Sequence, residues 1–206
     1  MKKEMFNEKY GLTTAVLEGR KTQTRRIAYD FRQHTCNKVT KSVILPSGSV
    51  TYMDGNQQVL DDMPKPLYKI GEEVAIAQSY HSAGIDAIAY DIQKVKPSNI
   101  CNDAHIRFDC TAGWENKMFV KAKLMPHRIR ITNVRVDRLQ DISEEDCLKE
   151  GIICKNGRYR VETYKGVVFY TTDARQAFAY LIDKVFGKGT WGSNPYVFVY
   201  DFELIK

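Results

Sequence analysis

The chain has 206 residues, the size of one domain or a tightly joined pair at roughly 100–200 residues per domain. With 43% hydrophobic and 27% charged residues it can bury a core and does not have the composition of a disordered chain. No apolar run approaches the ~20 residues of a membrane span, and Met1-Lys2-Lys3-Glu4 leads into a polar stretch that reads as no secretory signal. A membrane protein, a secreted disulfide scaffold, a collagen-like chain and a coiled coil are therefore not expected.

The formal net charge is +6, and its location matters more than its size. Residues 1–50 hold ten Lys/Arg and four Asp/Glu, whereas residues 51–206 hold 21 of each. The excess positive charge of the first quarter would draw phosphate-bearing or other acidic partners there. The five cysteines, Cys36, Cys101, Cys110, Cys147 and Cys154, are odd in number and include no Cys-x-x-Cys pair, which predicts free thiols in the cytoplasm. Cys101, His105 and Cys110 form the one cluster with ligand character. Their spacing fits no common zinc pattern and no fourth ligand is evident, so neither a metal nor another cofactor is expected.

In chain order, residues 7–18 read as a short helix, with Tyr10, Leu12, Val16 and Leu17 apolar and Gly19 as its stop. Gly19-Arg20-Lys21-Thr22-Gln23-Thr24-Arg25-Arg26 follows as the densest basic segment and reads as a loop. Residues 35–66 carry strand-like fragments, Val43-Ile44-Leu45 and Val50-Thr51-Tyr52, broken by turn residues, as in an inserted hairpin region. Tyr68–Ala77 reads as a turn feeding a strand, and residues 81–117 as irregular. Arg128–Val136 alternates at strand period, with Arg128, Arg130 and Arg135 on the wet face.

Ser143 reads as the N-cap of a helix whose first turn holds Glu144, Glu145 and Asp146, where the helix dipole favours acids. That helix ends at Glu150-Gly151. A hairpin is predicted near Tyr159–Tyr170. Residues 174–186 form the strongest helical pattern, with Ala177, Phe178, Leu181, Ile182 and Val185 at helical spacing, and Gly187 and Gly189 end it. Pro195–Leu204 reads as a long aromatic strand. Short strands with few helices predict an α+β protein built on a small barrel or curled sheet, with no interdomain linker.

Leu17-Glu18-Gly19-Arg20-Lys21-Thr22-Gln23-Thr24-Arg25-Arg26 resembles the signature of the ASCH domains. Tyr68-Lys69-Ile70-Gly71-Glu72-Glu73-Val74 resembles that family's following turn, and Asp141-Ile142-Ser143 with Glu150-Gly151 its helix after the central strand. Asn194–Val199 resembles its closing strand. Trp114–Phe119 with Met125-Pro126 is similar to the longer phage and prophage branch. The four blocks come in the family's order and reach from residue 6 to residue 204. The resemblance implies a single PUA-like small β-barrel domain with flanking helices and a cleft, insertions at about 29–66 and 81–117, and binding of RNA or modified nucleosides. The chain departs from the pattern at Glu72-Glu73, where Asp commonly follows the glycine, and at Gln78, where the phage branch often has Glu.

The basic segment has a chemistry of its own. Guanidinium groups offer planar, paired donors for phosphate oxygens, and Thr22 and Thr24 add neutral donors. Arg20, Lys21, Thr22, Thr24, Arg25 and Arg26 are thus the expected ligand-binding residues. The alternative is a solvated basic loop paired with Glu144, Glu145 or Asp146. In an extended segment Lys21 and Gln23 point to one side and Thr22 and Thr24 to the other, so Lys21 and Thr24 meet only if the loop bends.

A small bacterial relative within the resembled family hydrolyses the amide of N4-acetylcytidine. The resemblance carries its catalytic lysine, threonine and glutamate onto Lys21, Thr24 and Glu150. Thr24 would be the nucleophile, Lys21 the base or carbonyl polariser, and Glu150 the orienting acid. A ligand-free phage structural or interaction protein is a third reading. Tyr80, Trp114, Tyr159, Tyr164 and Tyr170 stand in or near loops and hairpins where a base could stack, and His81 could face a cleft. Oligomeric state is not legible.

Overall fold

The computed structural model describes residues 1–29, 41–44, 50–54, 57–59, 65–83 and 112–205. They fall into two compact units, one drawn from the described residues within 1–6 and 73–129, the other from those within 7–72 and 130–205.

In the first unit, β1 (Lys2–Glu4) pairs in parallel with β6 (Glu73–Ile76), Lys2 opposite Val74 and Glu4 opposite Ile76. Three of the four β6 residues are buried, as a strand covered on both faces requires. Ala75, Ala77, Tyr80, Val120 and Met125 form its apolar cluster, with Trp114, Ala122 and Leu124 packed on it. Tyr80 is fully buried and its hydroxyl accepts from the Lys121 amide at 3.1 Å, so it is a core residue and not an open stacking surface.

In the second unit, a single 3-10 turn (Glu8–Tyr10) leads through Gly11, at φ +62°, into α1 (Leu12–Leu17). β2 (Gln23–Tyr29) follows. The basic segment is therefore a loop only as far as Thr22, because backbone pairing with a distant strand extends the rest. That partner is β11 (Tyr196–Ile205), antiparallel, with Thr24 opposite Tyr200 and Gln23 opposite Asp201. β11 lies between β2 and β7 (Arg128–Arg138); β7 starts in the first unit and continues in the second. In β7, Ile129, Ile131 and Val134 are buried, but the alternation slips at Thr132-Asn133, both exposed. β3 (Lys41–Ile44), β4 (Val50–Asp54) and β5 (Gln57–Val59) form an antiparallel three-stranded sheet.

Ser143 caps α2 (Glu144–Lys149) by accepting from the Asp146 amide at 3.1 Å. β8 (Ile153–Lys155), β9 (Arg158–Thr163) and β10 (Gly166–Thr171) form a meander in the order β10-β9-β8. α3 (Ala174–Val185) buries Ala177, Phe178, Leu181 and Ile182 and packs against α2, β9 and β10. A short α4 (Thr190–Ser193) precedes β11.

The architecture is mixed α+β. The described strands form no closed barrel, and no helix among the described residues is long and apolar enough to cross a membrane. The predicted elements at 128–136, 143–150, 159–170, 174–186 and 195–204 are all present.

Candidate functional site: a buried lysine–glutamate pair in a closed polar ring

Three N–H donors on the Lys21 ammonium meet three acceptors. They reach the Gln23 carbonyl at 2.7 Å, the Glu150 carbonyl at 2.8 Å and Glu150 Oε2 at 2.7 Å. Both side chains are almost wholly buried. Glu150 is the C-cap of α2, where a carboxylate faces the negative end of the helix dipole. Two cations offset that cost: Lys21 on Oε2, and Arg25 Nη1 on Oε1 at 2.9 Å.

Arg25 extends the pair into a ring. Its Nη1 also donates to Gln23 Oε1 at 2.5 Å, and its Nη2 to Asp146 Oδ2 at 3.1 Å. Gln23 Nε2 donates to Asp201 Oδ1 at 2.6 Å. Arg135 closes the circuit, from Nη1 to Asp201 Oδ2 at 2.8 Å and from Nη2 to Asp146 Oδ2 at 2.6 Å. Lys21, Arg25 and Arg135 thus stand against Glu150, Asp146 and Asp201, three charges of each sign. Arg25 also lies 5.8 Å above the Phe178 ring, and its buried Nε has no hydrogen-bond partner among the described residues.

These surroundings shift the titrating groups. Burial lowers the Lys21 pKa below its ordinary value; the Glu150 charge and hydrogen bond oppose this, and the Arg25 charge adds to it. Asp146 is held below the usual carboxylate range. Burial acts against that shift, but the Arg25 hydrogen bond and the charges of Arg135 and Arg25 outweigh it. Arg26, half-buried beside Tyr68 and Tyr200, is lowered by burial. Burial pushes Tyr68 up to about 12 and raises Tyr200 as well.

The predicted ligand residues therefore separate. Lys21 and Arg25 are buried and neutralised by Glu150 and Asp146, so they do not present open charge to a phosphate. Arg20 is exposed and paired with Glu18 at 2.7 Å. Thr22 is half-buried, its amide donating to the Lys149 carbonyl. Thr24 is buried opposite Tyr200. In β2, strand alternation puts Thr24 with Arg26 on the face opposite Gln23 and Arg25. The structure brings Lys21 to Glu150; it sets Thr24 on the other side of the strand from the Arg25 ring.

Gln23, Asp146, Arg135 and Asp201 complete the ring. The sequence offers Asp146 only as a pairing partner of the basic segment, which it is for Arg25, and gives Gln23, Arg135 and Asp201 no site role. Asp201 carried a signal, as an acid inside the apolar run Tyr196–Phe202. Arg135 was expected on a wet face, but it is half-buried because Asp137, Asp146 and Asp201 surround its guanidinium. His81 stands at an exposed turn 3.5 Å from Glu115, its ring 5.5 Å from that of Trp114. Tyr159 is tied to Glu144 through its hydroxyl. Cys147 is buried, with its thiol pushed up to about 12 by burial, and Cys154 is exposed. Cys36, Cys101, His105 and Cys110 lie outside the described residues, and no metal-binding cluster occurs among the described ones.

Comparison with protein-family models, with curated proteins and with solved structures returned no match to the chain.

Proposed function

We propose that this chain is an ASCH-like module of the PUA-like superfamily that binds a modified nucleoside or nucleotide, free or carried in RNA, at the segment Gly19–Arg26. The observation that carries the reading is the buried Lys21–Glu150 pair, held at 2.7 Å across 129 positions of sequence. A buried ion pair is a poor source of net stability, since apolar residues of similar volume often serve as well. With all three Lys21 donors taken and both side chains buried, the pair fixes the shape of the segment, and the ligand would meet the polar groups around it. Because the ring is charge-balanced, the ligand is recognised through donor and acceptor edges rather than by phosphate capture at Lys21 and Arg25. Free Cys147 and Cys154 fit a cytoplasmic setting.

Calorimetric titration with cytidine, N4-acetylcytidine and CMP tests this. Binding of at least one is expected, and Glu150→Gln in a folded protein should weaken it at least about tenfold, the cost of one charge-assisted hydrogen bond. No binding by any of the three removes the reading.

A second reading is an amidohydrolase on N4-acylated cytidine. The lowered Lys21 pKa favours it, because a lysine base needs its neutral form populated. Strand alternation sets Thr24 apart from Lys21, so this reading requires the entry to β2 to turn Thr24 towards the lysine. Neutral Lys21 would then take the Thr24 hydroxyl proton as Thr24 Oγ1 bonds to the acyl carbon. The C–N bond then breaks, the amine leaves with that proton, and water releases the acid from Thr24. Incubation with N4-acetylcytidine should release cytidine, and Lys21→Ala and Thr24→Val should each stop it in folded protein. No turnover over a panel of acylated pyrimidines removes this reading.

A further inference from the structure

The outer face of the β8–β10 meander carries chemistry that the Lys21 ring does not use. Register fixes which residues share it. Lys155 is opposite Arg158, Ile153 opposite Arg160, and Tyr170 opposite Arg160. Alternation along β9 puts Arg158, Arg160 and Glu162 on this face, whereas Val161 turns inward and is buried. Its partner Phe169 is inward too, stacked on Tyr180 of α3 with ring centroids 4.5 Å apart. One face of the meander is therefore fastened to the helix, and the other is open.

Lys155, Asn156, Arg158, Arg160, Val167 and Tyr170 line an open hollow of about 500 Å³ on that face. Tyr170 is 64% exposed and Val167 48%. Arg158 lies 5.7 Å from the Tyr170 ring centroid, which steadies the ring with its face still available. Glu162 Oε1 comes within 2.8 Å of Arg160 Nε, but not aligned as a hydrogen bond. Lys155 and Arg158 have no acidic partner among the described residues. Three cations against one acid, grouped about an exposed aromatic ring, make a cationic stacking platform.

We infer that this face docks single-stranded RNA, with a base stacked on Tyr170 and the flanking phosphates on Lys155, Arg158 and Arg160. The charge sign selects a polyanion. The tyrosine between the cations selects one with flat, unpaired bases, the ordinary state of RNA loops and tails. An acidic peptide satisfies the cations but leaves the ring and the hollow beside Val167 without a matching partner. This inference does not depend on the Lys21 ring.

Fluorescence anisotropy with a labelled oligo-uridine 12-mer tests it at several salt concentrations. Two or three phosphate contacts predict a log–log salt slope of about −1.4 to −2.1 for a single strand. Arg158→Glu should flatten the slope by about 0.7 or more, and Tyr170→Ala should weaken binding on the order of tenfold, with Tyr170→Phe close to wild type. These side chains are exposed or half-exposed, and thermal melts check that the variants fold. Absence of RNA binding by the wild-type chain at low salt overturns the inference. So does unchanged binding by Arg158→Glu and Tyr170→Ala, which would move the RNA elsewhere. Equal competition by oligo-glutamate of the same length also overturns it, since the face would then read charge alone.

Discussion

Lys21 and Glu150 meet twice: the ammonium donates to the carboxylate at 2.7 Å and to the backbone carbonyl of the same residue at 2.8 Å. The second contact ties the lysine to the end of α2 itself. The first quarter of the chain is thereby joined to a helix that follows 129 positions later. The Lys149 carbonyl, accepting from the Thr22 amide at 3.0 Å, reinforces the same junction. The pair is thus a joint between α2 and the entry to β2 as well as a chemical centre, and its energetics follow from burial.

Removing one partner leaves a buried charge uncompensated, which typically costs ~3–5 kcal/mol. Glu150→Gln strands Lys21, whereas Arg25 keeps Asp146, so the loss should fall near the lower end, at about 3 kcal/mol. The double variant Lys21→Met with Glu150→Leu should recover most of it, because neither charge remains to be desolvated. Urea denaturation of Lys21→Met, of Glu150→Leu and of the double variant measures the coupling. Purely additive losses would show that the pair makes no net contribution.

The acid limb of stability should report Asp146. Its folded pKa lies below its ordinary 3.8, with burial opposing the shift and the Arg25 and Arg135 contacts prevailing. Its contribution is therefore full above about pH 4 and is lost as pH falls through the lower folded value. Asp146→Asn should lower stability at pH 7 by about 2 kcal/mol and flatten the fall below pH 4. A variant that melts in parallel with wild type over that range would contradict this.

The parts of the fold that were legible in sequence are those written locally. Ser143 before three acids, the apolar stripe Ala177–Val185 and the alternation of β7 each fix their own backbone. What was not legible depends on register. Nothing in Gly19–Arg26 says that Gln23 onward is a strand, because only the distant Tyr196–Asp201 run extends it. The ring depends on the same pairing, since Gln23 opposite Asp201 is what brings the amide to that carboxylate. The Lys21–Glu150 pairing was anticipated through the resemblance to a family motif, not through spacing. Tyr80 was misplaced because a tyrosine beside an irregular segment looks exposed until Val120 and Met125 are seen to cover it.

The alkaline limb should report Tyr68. Burial first, with Tyr200 and Glu72 adding and Arg26 opposing, raises its pKa from 10.0 to about 12. The folded chain holds this proton longer than the unfolded one, so its contribution is full below pH 10 and is lost as pH rises toward 12. Tyr68→Phe should melt with a shallower decline across that window. Absorbance titration should lose a late phenol ionisation in the folded variant. Loss of an ordinary phenol titrating near 10 instead would show that Tyr68 is open to solvent.

Gly151 limits what can follow Glu150. Its φ is +103°, in the region that side chains avoid, and a Cβ there would stand 3.1 Å from Leu12 Cδ2 and 3.6 Å from Lys21 Cδ. Gly151→Ala therefore combines backbone strain with crowding of α1 and of the lysine stem. Strain of this kind costs ~1–3 kcal/mol. The neighbouring contact adds a second effect that strain alone lacks: it presses on the chain carrying the Lys21 ammonium. Thermal and urea unfolding should show the loss of stability, and ligand affinity in the folded fraction should fall with it. Gly157→Ala is the matched control, at φ +70° with open space around its Cβ. It should lose comparable stability with affinity unchanged, and equal losses of affinity in the two variants would disconnect residue 151 from the lysine.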